Sequence, residues 1–177
     1  MTDRQFYDWQ TAGGGGDVLL LVETLERREI PWCMIDGLAV NHWAHETMAT
    51  ADVELVVSTD RVDDAVQALE AVGFKAARFV WSVNLKGHSK VSVQISTEPF
   101  YEGYPARAVP ADVHGILLRV ASLEDTLHGK IKAWWEPERR ASKRQKDFTD
   151  ILRLVESHPE LRNLLPTDVA AKVAENT

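Results

Sequence analysis

Two acidic residues stand one position apart in an apolar stretch, TADVELVV, residues 50–57. The alternation of polar and apolar residues predicts a β-strand, in which Asp52 and Glu54 point to the same face. Two neighbouring carboxylates repel each other unless water or a cation separates them. Mg²⁺ often binds one or two carboxylates together with substrate phosphates, so the pair suggests a metal site. A solvated edge strand that uses its charges to discourage aggregation is the alternative.

A glycine precedes the acidic pair at a distance that suits an anion-binding turn. The stretch IDGLAV, residues 35–40, places Gly37 after a predicted buried strand, where backbone N–H groups could approach a phosphate. Four further glycines, at 13–16, precede no Lys-Ser or Lys-Thr pair, so they do not form a P-loop. We interpret them as a flexible hinge.

Composition limits the classes of protein to consider. The chain has 177 residues, a net charge of −7 and one cysteine, Cys33. This length fits one domain, and the acidic balance argues against non-specific coating of nucleic acid. A single cysteine excludes an internal disulfide and a cysteine-rich zinc site. The N-terminus does not resemble a signal peptide, and no apolar run approaches the ~18 residues that span a bilayer, so we expect a soluble, cytoplasmic protein.

Basic residues cluster in RRASKRQK, residues 139–146. They are interpreted either as the solvated beginning of a helix or as a contact to phosphate or RNA.

His42 and His45 precede the acidic pair, and they are either loop residues or part of a zinc site that lacks a third ligand with suitable spacing. Three tryptophans, Trp32, Trp81 and Trp134, are predicted to lie in the core.

Hydrophobic periodicity predicts the elements that carry these residues. They are a helix from 18 to about 28, a strand at 32–40 that breaks at Gly37, a loop or short helix at 41–50, a strand at 51–58, a helix at 61–72, a hairpin of strands 74–85 and 90–96, a loop at 97–110, a strand at 115–121, and helices at 123–135 and 143–156. Predicted N-caps are Asp17, Asp60, Ser122 and Ser142. The fold class is therefore α/β (α+β), with a small mixed β-sheet flanked by helices and further helices at the C-terminus.

Two stretches resemble a known group of proteins. MIDGLAVNHWAHETMATADVELVV, residues 34–57, is similar to the signature of the nucleotidyltransferase-fold superfamily, in which a glycine turn precedes two acids alternating on a strand. ASLEDTLHGKIKAWWEPERRASKRQKDFTDILRLVESHPEL, residues 121–161, resembles the paired helices of minimal bacterial nucleotidyltransferase-like proteins related to AbiEii-type toxins. The resemblance extends over about residues 18–160.

This resemblance implies a nucleotidyltransferase-like fold and a function. Asp52 and Glu54 would be catalytic and would hold Mg²⁺ or Mn²⁺, with an NTP as substrate. The expected nucleotide-binding residues are Gly37, Leu38, Gln94 and Lys130. The nucleoside monophosphate would pass to a hydroxyl on RNA such as tRNA, on a protein or on a small molecule. A toxin of this type would also have an antitoxin protein as partner.

Three positions differ from the usual pattern or have a second interpretation. Leu38 replaces the second small residue of the turn, and Gln94 aligns with a third acid, for which Glu98 is a possible substitute. The alternative function is therefore a nucleotide-binding or partner-binding protein that catalyses no transfer. Lys130 could instead be a solvated lysine on a helix face. We expect an N-terminal arm at 1–16, a nucleotidyltransferase-like core at 17–120 and a C-terminal helical segment at 121–177.

Overall fold

The chain forms a mixed α/β structure, which confirms the predicted fold class. The computed structural model describes residues 13–50, 52–113 and 116–176, so most of the proposed N-terminal arm lies outside the described residues. The elements are α1 (Gly15–Arg27), β1 (Trp32–Ile35), α2 (Asp36–Trp43), β2 (Asp52–Val57), α3 (Val62–Ala71), β3 (Lys75–Arg78), β4 (Ser82–Lys86), β5 (Ser92–Ser96), α4 (Tyr104–Arg107), β6 (Val109–Val113), β7 (Ile116–Val120), α5 (Leu123–Trp135), α6 (Ala141–Ser157) and α7 (Thr167–Ala174). Short 3₁₀ helices lie at Thr59–Arg61, Pro99–Tyr101 and Pro159–Leu164.

Seven strands form one sheet in the order β3-β4-β5-β2-β1-β7-β6. In its centre, β2 runs antiparallel to β1 and parallel to β5. This register places Glu54 opposite Ile35 on one side and opposite Gln94 on the other. The end of β1 and the polar positions of β2 and β5 therefore meet at one place on the sheet.

The helix α2 contributes residues to two hydrophobic clusters. The first packs α1 and α3 against the apolar face of the sheet and includes Leu38 from α2. The second joins α5, α6 and α7 and includes Val40 from α2. Because α2 contributes to both clusters, the helix that follows β1 is fixed against the sheet and against the C-terminal helices. Within the described part of the chain, no helix is both long and apolar enough to cross a bilayer.

The predicted element boundaries need three corrections. The strand predicted at 32–40 ends at Ile35, where α2 begins. The strand predicted at 74–85 is two strands, because the chain reverses at 79–81 and the Phe79 amide donates to the Ser82 carbonyl at 2.8 Å. Trp81 therefore sits in a turn with 56% of its surface exposed, and its predicted place in the core is wrong. The loop predicted at 97–110 contains α4 and the beginning of β6.

Of the predicted helix caps, Ser122 is confirmed. Its hydroxyl accepts a hydrogen bond from the Asp125 amide at 3.2 Å. The cap predicted at Ser142 is wrong, because α6 begins at Ala141 and Ser142 is the second residue of the helix. Asp60 is exposed and caps no helix with its side chain.

Asp17 has a different role from the predicted cap. Since α1 begins at Gly15, part of the proposed glycine hinge is helical and Asp17 lies in the first turn of the helix. Its carboxylate accepts hydrogen bonds from the His88 amide at 3.1 Å, and from the Ser89 amide and hydroxyl at 2.8 and 2.6 Å. A Cβ on Gly87 would lie 2.5 Å from the carboxylate carbon, so the β4–β5 turn needs glycine there. Asp17 thus ties α1 to the turn that precedes β5.

We expect Asp17→Ala to lower the free energy of unfolding by about 1–2 kcal/mol, because two partly buried amide donors and one hydroxyl lose a charged acceptor. Urea unfolding measures this change. Asp60→Ala removes the same charge from an exposed position and is the matched control, with an expected change below about 0.5 kcal/mol. Equal losses in the two variants would show that the contact to the β4–β5 turn adds nothing to stability.

Candidate active site

A cavity of about 200 Å³ lies where β1, β2 and β5 meet α5. Its residues on the sheet side include Glu54 from β2, Gln94 from β5 and Asp36 directly after β1. Lys130 from α5 and Arg139 from the segment before α6 lie on the opposite side. We refer to this cavity as the acidic cleft.

The acidic pair lies on one face of β2, as the alternation predicted. Asp52 is exposed, Val53 is buried, Glu54 is partly buried and Leu55 is buried. Glu54 lines the acidic cleft, whereas Asp52, the exposed first residue of β2, is not among the residues that line it. Among the described residues, no group of three or more His, Cys, Asp or Glu side chains could hold a metal ion. The assignment of Asp52 and Glu54 as metal ligands stays a prediction, and it requires a ligand such as phosphate to complete the site.

Asp36 is a functional candidate that the structure adds to those named from the sequence. It has a left-handed backbone conformation, with φ of +53°, which is uncommon for residues other than glycine and often occurs at functional sites. Its carboxylate forms an ion pair with Lys130 at the base of the acidic cleft. The sequence signal was an acid placed directly before the turn glycine.

Lys130 is the centre of a buried ionic network. Only 2% of its side chain is exposed, and its Nζ lies 2.9 Å from Asp150 and 3.4 Å from Asp147, in addition to its pair with Asp36. A solvated lysine on a helix face, which was one interpretation of the sequence, is therefore excluded. The predicted contact between Lys130 and a nucleotide is not tested by these distances. Such a contact would have to compete with three carboxylates.

Two arginines complete this ionic network. Arg139, from the basic stretch, forms a bidentate pair with Asp147 at 2.7 and 3.1 Å. Arg153 binds Asp150 at 2.8 Å and also donates to the side chain of Asn41 in α2 at 2.8 Å. The three carboxylates around Lys130 are thus matched by three cations. The pair with Asp147 accounts for the position of the Arg139 side chain without any ligand. Arg139 also lines the acidic cleft, so it could contact a ligand bound there.

Charges in the cleft shift two pKa values in opposite directions. Burial acts to raise the pKa of Asp36, but the charge and hydrogen bond of Lys130 outweigh it and hold that pKa below its usual value. Burial raises the pKa of Glu54 to about 7, and the charges of Asp36 and Asp52 act in the same direction while Lys130 opposes them. A cation bound beside Glu54 would favour the charged form of this carboxyl group.

The predicted glycine turn is the first turn of α2. Gly37 is buried, and a Cβ there would lie 3.1 Å from Oγ1 of Thr50, whose hydroxyl donates to the Asp52 carbonyl. Gly37 thus allows α2 to approach the residue before β2. Leu38 is 4% exposed and belongs to the hydrophobic cluster on the sheet, so its side chain is not available to a nucleotide. A nucleotide could contact Leu38 only through the backbone, and this prediction stays untested.

Comparison with solved structures shows the class of fold. The crystal structure of ANT(2")-Ia in complex with adenylyl-2"-tobramycin aligns with a TM-score of 0.60 at 12% identity, over 88% of this chain and 94% of that one. The lincosamide antibiotic adenylyltransferase LnuA, lincomycin-bound, aligns with a TM-score of 0.55 at 11% identity, over 78% and 96%. An antigenic nucleotidyltransferase-like protein from Paracoccidioides brasiliensis gives 0.58 at 16%, over 91% and 85%. The chain therefore has a nucleotidyltransferase fold.

The sequence places the chain within a particular family of that fold. The family model described as "Nucleotidyl transferase AbiEii toxin, Type IV TA system" matches residues 41–176, which is most of the chain. The protein belongs to this AbiEii nucleotidyltransferase family, as the resemblance in the sequence predicted. A search of curated proteins finds no significant match.

We expect Glu54→Gln to raise the free energy of unfolding at pH 8 by about 2 kcal/mol. The folded protein holds the Glu54 proton more tightly than the unfolded chain, since the pKa rises from 4.5 to about 7. The contribution of Glu54 to stability is therefore fully present below about pH 4.5 and is lost as the pH rises through 7. Chemical unfolding at pH 8 and pH 4.5 should show an advantage of the variant only at pH 8. Glu102→Gln, on the surface, is the control, and a pH-independent effect of Glu54→Gln would contradict the raised pKa.

Because of the ionic network, replacing two different lysines of α5 should cost very different amounts of stability. Lys130→Met should cost about 3–5 kcal/mol, because three carboxylates lose their shared partner. Lys132→Met, which breaks one partly exposed pair with Glu98, should cost less than about 1 kcal/mol. Denaturant unfolding of both variants compares them directly. If Lys130→Met is as stable as Lys132→Met, the buried network does not stabilise the fold.

Proposed function

We propose that the protein is a Mg²⁺-dependent nucleotidyltransferase that moves a nucleoside monophosphate from an NTP to a hydroxyl acceptor. The observation that carries this proposal is the meeting of Asp36, Glu54 and Gln94 in one cleft, with Asp52 on the same face of β2. Membership of the AbiEii nucleotidyltransferase family supports the same reaction class.

The donor set fits a hard divalent cation. Asp52 and Glu54 would hold Mg²⁺ or Mn²⁺ through carboxylate oxygens, the ligands that these ions prefer. The raised pKa of Glu54 supports this assignment, because burial and the charges of Asp36 and Asp52 disfavour an ionised Glu54 that no cation accompanies. The bound metal would neutralise phosphate charge during transfer.

The chemistry forms one bond and breaks one. The acceptor hydroxyl oxygen bonds to the α-phosphorus, the bond from that phosphorus to the bridging oxygen breaks, and pyrophosphate leaves. Gln94, opposite Glu54 on β5, can orient the hydroxyl through its amide but cannot take its proton. Glu98 lines the same cleft and is the candidate for receiving that proton, although it also pairs with Lys132.

The acceptor and the partner follow from the family rather than from the geometry of the cleft. We propose an acceptor hydroxyl on RNA, on a protein or on a small molecule, and a toxin activity in the cytoplasm that an antitoxin protein restrains. The family description, which names a toxin of a toxin–antitoxin system, supports this part of the proposal. We also propose the division into a core at 17–120 and a C-terminal helical segment at 121–177, which the two hydrophobic clusters support.

A second candidate function is nucleotide binding without transfer. Gln94 favours it, because a neutral amide occupies the position at which a third acid would serve as metal ligand or base. The two functions share the nucleotide site and differ only in whether the α-phosphoryl group moves.

Thermal unfolding with each NTP, with and without Mg²⁺, tests the site. A ligand that binds only the folded state adds about 2.7 kcal/mol of stability at ~100 times its Kd. We expect a metal-dependent rise in Tm that the Asp52→Asn, Glu54→Gln double variant loses, each protein being compared with its own ligand-free Tm. Asp60→Asn, Glu102→Gln makes the same charge change outside the cleft and should keep the full rise.

Transfer of label from α-³²P-NTP to candidate RNA or protein acceptors then separates the two functions. Binding followed by transfer supports the enzyme, and binding without transfer to any acceptor supports the binding protein. No rise in Tm with any nucleotide at millimolar concentration would contradict both.

A further inference from the structure

A second cavity, of about 400 Å³, opens beside the acidic cleft. The two share Tyr104, Asp125 and Lys132 in their walls, so a molecule bound in one can extend into the other. Its remaining walls are mainly aromatic and aliphatic, from Phe100, Trp135, Ile131, Leu164 and Pro166. We call this space the aromatic cavity.

The aromatic cavity presents two large rings to solvent. Phe100 is 46% exposed and Trp135 is 49% exposed, although both are large apolar side chains. The indole of Trp135 is held in place by a hydrogen bond from its Nε1 to Asp168 of α7 at 2.7 Å. Lys132 brings a positive charge to the border between the two spaces, with its Nζ 5.7 Å from the ring centre of Phe100. Ring faces next to a cation suit a planar, electron-rich ligand that carries negative charge on one side.

Tyr104 forms part of the wall of both spaces, whereas its hydroxyl oxygen is buried. Tyr104 is 3% exposed, and its hydroxyl has no hydrogen-bond partner among the described residues. An unpartnered buried hydroxyl is costly, and it needs an explanation such as a ligand or water. Tyr104 therefore offers its ring rather than its hydroxyl to a ligand that spans the two spaces.

We propose that the aromatic cavity binds the nucleobase of the NTP whose phosphates lie in the acidic cleft. This inference rests on the proposed function and adds the residues that recognise the base. The volume lies within the ordinary range of small-ligand sites, and nucleobases stack on exposed aromatic rings. Trp135 and Phe100 supply the ring faces, and Lys132 lies between base and phosphates.

Equilibrium binding of Mg²⁺–NTPs and of Mg²⁺–tripolyphosphate tests the inference, because tripolyphosphate has the charge but no base. The unmodified protein should bind at least one NTP about 10-fold more tightly than tripolyphosphate. Trp135→Ala and Phe100→Ala should each weaken NTP binding by about 5- to 100-fold and leave tripolyphosphate binding unchanged. Trp135→Phe keeps a ring and should remain within about 3-fold of the unmodified protein.

Trp81→Ala is the matched control, since Trp81 is a similarly exposed tryptophan that lines neither cavity. It should bind both ligands as the unmodified protein does. The Phe100 variant guards against a folding defect, because the Trp135 variant also loses the hydrogen bond to Asp168.

Two results would overturn the inference and leave the proposed function intact. One is equal affinity of the unmodified protein for tripolyphosphate and for every NTP. The other is unchanged NTP affinity in the Trp135 and Phe100 variants, including the case in which only the KM for an acceptor rises, which would assign the aromatic cavity to the acceptor. Absence of binding by NTPs and tripolyphosphate alike is a different result, because it would contradict the proposed function together with the inference.

Discussion

The ammonium group of Lys130, buried among three carboxylates, is the interaction on which the site depends. It joins α5 to Asp36 after β1 and to Asp147 and Asp150 of α6. Charges removed from water destabilise a fold unless each finds well-placed partners, so this arrangement is stable only when all three segments are in position. At this contact Asp36, the first residue of α2, has its left-handed backbone conformation.

The pairing of charges in the ionic network bears on the protonation of the neighbouring Glu54. Lys130 and the two arginines pair directly with their three carboxylates, whereas Glu54 forms no ion pair among the described residues and is offset only in part by the charges of Lys130 and Arg139. The folded protein therefore carries a carboxyl group that holds its proton up to about pH 7. Such a group reduces stability when it ionises, and stability is commonly sacrificed where a ligand must be bound. An ionised Glu54 is therefore a charge that the proposed divalent cation would offset.

Sequence reasoning succeeded where the signal was local and failed where the partner lay far along the chain. The alternation around Asp52 and Glu54 and the cap at Ser122 depend on residues within a few positions, and the structure agrees with both. No local pattern could pair Lys130 with Asp36, which lies 94 residues away. Nor could one show that Asp17 binds a turn 71 residues further on, which is why it looked like an ordinary cap. The β3–β4 hairpin was missed because its turn, Phe79 to Trp81, consists of residues that favour strands.

Glu54 has charged neighbours on the β1 side and neutral amides on the β5 side, because Gln94 stands opposite it on β5. Towards β1, Glu54 is next to Asp36 and the ionic network, whereas towards the sheet edge its row continues through Gln94 on β5 and Asn84 on β4. Both of these side chains are neutral amides, and the Asn84 oxygen is buried without a hydrogen-bond partner among the described residues. An anionic acceptor that approached along this row would meet no fixed negative charge at either position. At the position where the resemblance implies a third acid, Gln94 therefore offers neither a base nor a fixed negative charge.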